Sequence, residues 1–287
     1  MLGERAWLSP QTRLLLRKLK RNRSFRVGAP LVAVFVLLGL LAPLIAPYNP
    51  VKGELSHALE PPSTRHWFGT DQLGRDIFSR IVYGARISLI VAVAGILIAI
   101  IAGVIYGSIS GFIGGWVDEA LMRIIDILLA FPDILLAILV ASIVGPGLMN
   151  VIIAIGVYNF PQFARIMRGA VLAVKESDYV EAARAIGESR VSILLRYILP
   201  NSLYPVVVHG TLRSGASILT AAALSFLGLG VQPPTPEWGA MINEAMKYLD
   251  IAPQMWVFPS LFLIITVLGF NLMGDGLNDV LNPRIKE

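Results

Sequence analysis

The stretch EAARAIGESRVSILLRYILPN, residues 181–201, is charged and rich in alanine, and it lies between two strongly apolar stretches. Asp178 can cap a helix whose third residue is Glu181, in a capping-box arrangement. The alanines at 182, 183 and 185 favour that helix, and Arg184 is spaced to pair with Glu181 and Glu188. Gly187 supplies a stop, and a second helix runs from about Ser189 to Leu199, where Pro200 interrupts it. The stretch therefore predicts a helix, a glycine joint and a second helix.

A helix this short is marginal in water unless something packs against it. Its small side chains allow close approach by another backbone, and its charged ends favour a position in contact with water. Two interpretations follow from the residues alone: a docking helix for a partner, or a surface turn that only links two apolar segments.

The composition of the whole chain indicates a membrane protein. Of its 287 residues, 55% are hydrophobic and 15% charged, too little polar surface for an ordinary water-soluble fold. The chain has no cysteine, which excludes disulfides, thiolate metal sites and cysteine nucleophiles. The net charge is +5, but the basic residues lie beside apolar segments, where they set topology, so we expect no nucleic-acid partner.

A bilayer crossing needs roughly 20 apolar helical residues. Six windows meet this length, so we predict an all-α polytopic protein with six transmembrane helices, at about 27–47, 87–111, 120–145, 148–168, 203–229 and 254–273. The first window is read as a retained anchor and not a cleaved signal peptide, because its apolar run is long and lacks a small-x-small cleavage site. It follows a run of cations opposed only by Glu4, namely Arg5, Arg13, Arg17, Lys18, Lys20, Arg21, Arg23 and Arg26. The positive-inside rule then places both termini and the loop 169–202, which contains the opening stretch, in the cytoplasm.

This topology divides the chain in two. Residues 1–85 comprise the cytoplasmic tail, the anchor and an outer interfacial segment, and residues 86–287 form a five-helix core. The outer segment, 67–86, mixes aromatic and charged residues and predicts an interfacial helix. Near the start of the third window, Glu119, Arg123 and Asp126 are spaced to neutralise one another on one face.

Small residues recur every four positions along the second window. The stripe comprises Gly95, Ala99, Gly103, Gly107, Gly111 and Gly115. This is a helix-packing signal, and contact inside the subunit is favoured over contact across a dimer.

Polar residues within the fourth and fifth windows are candidates for lining a transport path. His209, Arg213 and Ser217 lie at steps of four on one helix face, and intramembrane polar groups usually face a cavity or a partner. The alternative is that Arg213 pairs with an acid of another helix simply to hold the bundle. Asn159 and Gln162 flank Pro161 and either satisfy backbone groups freed by the proline, the favoured interpretation, or meet substrate amides.

The sequence resembles a known family at several motifs. Glu181-Ala182-Ala183, Gly187, and Leu199-Pro200 resemble the EAA signature of permease subunits in ATP-binding cassette importers. Further motifs resemble the peptide and nickel branch, in particular its second permease subunit: Phe68-Gly69-Thr70-Asp71, Gly74-Arg75-Asp76, residues 224–230, Pro233-Pro234, Trp238-Gly239 and residues 274–277. The resemblance spans nearly the whole chain and implies a type I importer permease fold in a prokaryotic cell membrane.

The resemblance implies an assembly as well. In that family the EAA segment is a coupling helix seated in a groove of the ATPase subunit. The chain has no Gly-x-x-x-x-Gly-Lys-Ser/Thr loop, so ATP hydrolysis, with its ATP and Mg²⁺, belongs to partner subunits. The expected partners are a second permease, two cytoplasmic ATPases, an extracytoplasmic solute-binding protein and a peptide substrate.

Rival functions stay open on the sequence. A nickel or other small-solute importer shares these motifs, and intramembrane Arg213 and Asp126 are compatible with an ion-gradient-driven transporter. A membrane-embedded enzyme is a distant third, since we find no catalytic constellation, no metal-ligand cluster and no resident cofactor site.

Overall fold

The computed structural model describes residues 17–281, and these form an all-helical fold. The helices are α1 (Arg23–Leu40), α2 (Ala42–Ile45), α3 (Ile77–Ile113), α4 (Gly115–Leu129), α5 (Asp133–Val144), α6 (Leu148–Lys175), α7 (Asp178–Ala185), α8 (Arg190–Ile193), α9 (Leu199–Phe226), α10 (Trp238–Ala245) and α11 (Gln254–Leu281). A π-helical turn, Leu194–Ile198, joins α8 to α9. Arg5 and Arg13, on which part of the topology argument rests, lie outside the described residues.

Four continuous helices of the described region are long and apolar enough to cross a membrane, and a bent pair raises the number to five. The four are α1, α3, the continuous helix Arg190–Phe226 and α11. The helix α6, over the fourth predicted window, is not among them, because asparagine, glutamine and arginine interrupt its apolar residues.

The predicted crossing over 120–145 is not one continuous helix but a bent pair. Helices α4 and α5 are bent by 91° at residues 130–132. Pro132 has no N–H to donate and disfavours a helical conformation at Phe131, so the helix ends and restarts at Asp133.

The glycine stripe brings α3 against α6 within the subunit. A Cβ added at Gly103 would lie 2.5 Å from Phe163 Cβ, and one at Gly111 would lie 3.0 Å from the Arg168 carbonyl oxygen. Gly95 and Gly107 likewise face α6, so only glycine allows the two backbones this approach. Including Gly115 in the stripe is wrong: α3 ends at Ile113, and Gly115 is the first residue of α4, with a φ of +57° and nothing within 4 Å of an added Cβ.

An interfacial helix over 67–86 is also wrong. Residues 67–76 form turns, and the helix that begins at Ile77 continues without a break to Ile113, across the division proposed at residue 85. Most of the charged side chains of this segment, which the prediction placed on a solvent-exposed face, are buried, and they neutralise one another. Arg75 Nε donates to Asp71 at 2.6 Å, and the guanidinium groups of Arg75 and Arg80 lie 2.9 and 3.4 Å from Glu244 of α10.

Candidate coupling segment and intramembrane polar cluster

The segment 178–200 is built by its own backbone bonds, and its N-terminal cap differs from the prediction. Ser177, not Asp178, is the N-cap, with extended φ and ψ of −83° and 146°. Its backbone carbonyl accepts from the N–H of Glu181, while its hydroxyl donates to the Val174 carbonyl. Asp178 is therefore the first helical residue, where its negative charge interacts favourably with the helix dipole. The predicted ion pairs of Arg184 with Glu181 and Glu188 are not formed; Arg184 Nη2 instead donates to the Lys175 carbonyl at 3.4 Å.

The glycine stop after α7 is confirmed. Gly187 has a φ of +83°, and its N–H donates to the Arg184 carbonyl at 3.1 Å. The N–H of Glu188 donates to the Ala183 carbonyl at 3.1 Å, which completes a Schellman motif. Gly187 is exposed, and a Cβ added there would meet nothing within 4 Å.

The predicted break at Leu199-Pro200 is wrong. Residues 190–226 form one continuous helix, in which the π-helical turn Leu194–Ile198 lies just before Pro200. Proline lacks an N–H and its ring crowds the preceding turn, and a widened turn accommodates both effects without ending the helix. The consequence is a rigid connection from residue 190 into α9.

One face of α7 is anchored and the other is open. Val180 and Ala183 are buried in a core shared with Met167 and Val171 of α6 and Ile193 of α8. The remaining signature residues of this helix, Glu181 and Ala182, are exposed, and so is the neighbouring Ile186. Leu199 is half-buried and Pro200 exposed, so they belong to the continuous helix that follows. The short helix therefore presents one solvent-exposed face, while its inner face packs against the bundle.

The four predicted path residues meet in one polar cluster between α6 and α9. Arg213 Nε donates to Asn159 Oδ1 at 2.8 Å, and Asn159 Nδ2 lies 3.1 Å from Ser217 Oγ. His209 Nε2 lies 3.2 Å from Gln162 Oε1. Both serine and asparagine are buried, so their polar groups satisfy one another.

Asp133, at the restart of the bent pair, completes the cluster, and the sequence reading missed it. Its Oδ2 lies 2.7 Å from Arg213 Nη2 and 3.3 Å from Gln162 Nε2. Tyr158, also missed, places its ring 5.5 Å from the Arg213 guanidinium carbon. A carboxylate directly after a proline in an apolar run was the available signal for Asp133. The favoured role of Gln162, satisfying backbone freed by Pro161, is wrong because its amide bonds Asp133 and His209.

The cluster is partly open to the outside of the subunit. The Asp133 side chain is 46% exposed and that of Arg213 is 17% exposed. Charges at membrane depth are costly in lipid and face a cavity or a protein neighbour. We therefore expect the cluster to open onto a cavity or a neighbouring protein and not onto lipid.

The charges at the start of α4 pair only in part as predicted. Asp126 forms its ion pair with Arg165 of α6, not with Arg123. Arg123 lies 3.9 Å from Glu119, with both side chains exposed. Asp118, closer to the turn, holds Arg168 of α6 through contacts of 2.6 Å.

The all-helical bundle and its apolar spans define a multi-pass membrane protein. Residues 95–287 match the family described as binding-protein-dependent transport system inner membrane component, and residues 10–62 match the N-terminal TM domain of oligopeptide transport permease C. The chain belongs to this family of ATP-binding cassette importer permeases, in its dipeptide and oligopeptide branch. Family membership decides against the ion-gradient transporter and the embedded enzyme.

Curated relatives cover nearly the whole chain. The glutathione transport system permease protein GsiD of Shigella flexneri serotype 5b (strain 8401) is 51% identical over 271 residues, 94% of this chain and 89% of the relative. The protein of the same name from Escherichia coli O6:K15:H31 (strain 536 / UPEC) is 49% identical with the same coverage. Importers of this family work with a second permease, ATPases and a binding protein.

Proposed function

We propose that this chain pairs with a second, different permease to form the path for small peptides, driven by two cytoplasmic ATPases that grip α7. An extracytoplasmic binding protein delivers the substrate, and ATP and Mg²⁺ bind in the ATPase subunits. The observation that carries this proposal is that only one face of the segment is buried: Val180 and Ala183 are anchored inside, and Glu181, Ala182 and Gly187 are exposed.

The connections of α7 supply a mechanism for coupling. Helix α6 leads into it after Lys175, and the continuous helix 190–226 follows the Gly187 joint. Asn159 lies on α6 and Arg213 on α9, so the polar cluster bridges the two helices that flank the coupling segment. A displacement of α7 by an ATPase would shift these helices between two packed arrangements and change the cluster with them.

The cluster suits a solute with amide and charged groups. His209 and Arg213, which are partly exposed, offer polar groups, Asp133 adds a carboxylate at the exposed edge, and the buried Asn159, itself bonded to Ser217, holds Arg213 in place. A peptide carries an ammonium group, a carboxylate and amides, and these groups complement that set. Glutathione, which the names of the relatives specify, is itself a small peptide and is the first substrate to test alongside dipeptides.

The docking proposal is tested by Gly187→Trp. Nothing lies within 4 Å of a Cβ at this position, so the bulky side chain is expected to leave the permease in the membrane and block the ATPase groove. Gly228→Trp is the matched control, since Gly228 also has a positive φ, +79°, and open space, but lies beyond the opposite end of α9. We expect copurification of the ATPases to be lost in the first variant and kept in the second. Normal ATP-driven uptake by Gly187→Trp would contradict the proposal.

The substrate class is tested by uptake into vesicles that contain the assembled importer and its binding protein. Labelled dipeptide, glutathione and nickel are compared at equal concentration, with and without ATP. ATP-dependent uptake of nickel alone would support the alternative of a metal importer and overturn the peptide assignment.

A further inference from the structure

A pocket of about 590 Å³ lies where the end of α3 meets the coupling segment. Its apolar wall comprises Phe112, Ile113 and Ile193, and its polar rim comprises Lys175, Arg184, Glu188 and Arg190. The pocket thus has one apolar side, formed mainly by the end of a membrane helix, and one cationic side.

The cations of the rim are not neutralised by the described part of the chain. No carboxylate of residues 17–281 lies within 4.0 Å of the charged nitrogens of Lys175, Arg184 or Arg190. Lys175 Nζ donates to the Phe112 carbonyl at 3.0 Å, and Arg184 donates to the Lys175 carbonyl, so these two groups are held at the rim by backbone oxygens. With Glu188 as the one acid of the lining, the formal charge is three minus one, or +2, which favours an anion.

The surface that leads to the pocket is apolar. Ile105, Ile109 and Ile113 are exposed by 57%, 41% and 58% and follow one another at steps of four. They are offset by two residues from Gly103, Gly107 and Gly111, and at 100° per residue this places them on the side of α3 away from α6. Trp116, 80% exposed, follows as the second residue of α4, and exposed tryptophan is typical of the headgroup level.

We propose that this pocket binds the phosphate headgroup of an anionic phospholipid, whose acyl chains lie along Ile105, Ile109 and Ile113. A soluble phosphate would use the cations but not the isoleucine stripe, and the combination of the two surfaces favours an amphiphile. Basic pockets between membrane helices on the cytoplasmic side are suited to such headgroups. The lipid would join the end of α3 to the coupling segment, and this role does not depend on the solute carried.

The test measures binding of phosphatidylglycerol to the assembled transporter in detergent by native mass spectrometry, against phosphatidylcholine and inorganic phosphate. We expect preference for phosphatidylglycerol, and a loss of about fivefold in affinity for Arg190→Gln and about 25-fold for Arg184→Gln with Arg190→Gln. Arg196→Gln is the matched control, since Arg196 is an exposed cation of the same segment that does not line the pocket, and its effect should be under twofold.

Three outcomes would overturn the proposal. Phosphatidylglycerol binding could be unchanged in the double variant, or inorganic phosphate could compete as well as the lipid, which would indicate a soluble anion. Alternatively the double variant could lose the ATPases with lipid binding intact, which would assign the rim to protein docking. If that variant fails to assemble, a photoactivatable phosphatidylglycerol applied to the unaltered transporter decides: adducts within 105–116 and 184–193 support the site, and adducts only elsewhere contradict it.

Discussion

At the scale of single residues, the environment and not the residue type decides what a charge does in this protein. Arg213 lies in a membrane helix, yet its guanidinium meets Asp133, Asn159 and the Tyr158 ring. The two interpretations left open by the sequence are therefore compatible. The arginine does pair with an acid of another helix, and the pair still lies at an opening of the subunit.

We predict that Arg213→Gln destabilises the subunit by about 1 to 2 kcal/mol, less than the roughly 3 to 5 kcal/mol of a fully buried pair because Asp133 is half-exposed. The single variant leaves a carboxylate without its cation at membrane depth. The double variant Asp133→Asn with Arg213→Gln removes both charges and should be more stable than the sum of the single effects implies. Thermal unfolding of the purified complex measures this, and strictly additive effects would contradict the coupling.

A second residue-scale prediction concerns Glu237, the N-cap of α10, which lies outside the membrane spans. Burial raises the pKa of its carboxyl above the usual value, although the backbone N–H groups of Ala240 and Gly239 and the Ser225 side chain oppose the shift. A raised folded-state pKa contributes stability below the unfolded pKa, and this is lost as the pH rises through the folded pKa. Glu237→Gln should therefore raise the melting temperature at neutral pH and have little effect under acid conditions. A melting temperature that the substitution lowers equally at both pH values would be the opposite result.

At the scale of elements, the close approach of helix backbones organises the core. Helix α3 lies on α6 through a row of glycines, and α6 in turn holds the inner face of α7 through Met167 and Val171. The packing of one helix pair thus sets the position of the coupling segment.

We predict that Gly103→Leu separates α3 from α6 and lowers both thermal stability and ATPase copurification. The new Cβ alone would lie 2.5 Å from Phe163 Cβ and 2.9 Å from the Ala164 backbone nitrogen, and the backbone cannot yield without moving the helix. Gly169→Leu is the control, since Gly169 of α6 is exposed with nothing within 4 Å. Equal melting temperatures of the two variants would show that the contact is unimportant.

At the scale of the whole molecule, the buried charges on the side of the bundle away from α7 join distant parts of the chain. Asp71 and Arg75 lie in the turns just before α3, Arg80 lies in its first turn, and Glu244 lies on α10, between the last two long helices. Two carboxylates balance two guanidinium groups, so the cluster is neutral as a unit.

We predict that Glu244→Gln destabilises the assembled fold by about 3 to 5 kcal/mol, since Arg75 and Arg80 are almost fully buried and lose a counter-charge. Glu119→Gln provides the comparison, because the Glu119 side chain is 77% exposed and its pair should contribute under about 1 kcal/mol. Thermal unfolding at two salt concentrations checks both. A small effect at Glu244, removed by salt, would indicate a solvated surface pair.

The sequence predicted the larger features of this protein because they follow from local physical chemistry. Apolar length indicates membrane helices, the four-residue spacing of glycines predicts a close helix contact, and Gly187 predicts the stop after α7. The EAA residues, by their resemblance, indicated the family that the comparisons establish.

Two prolines and the long-range contacts decided the rest. The 91° bend at residues 130–132 and the continuous helix across Pro200 depend on how the neighbouring turns accommodate a proline. The long-range contacts depend on which helices become neighbours in space. The partners of Arg213, Asp126 and Arg80 lie 80, 39 and 164 residues away in sequence. Periodicity reports which face of a helix a residue occupies, but only tertiary packing supplies the opposite charge that makes burial of that residue favourable.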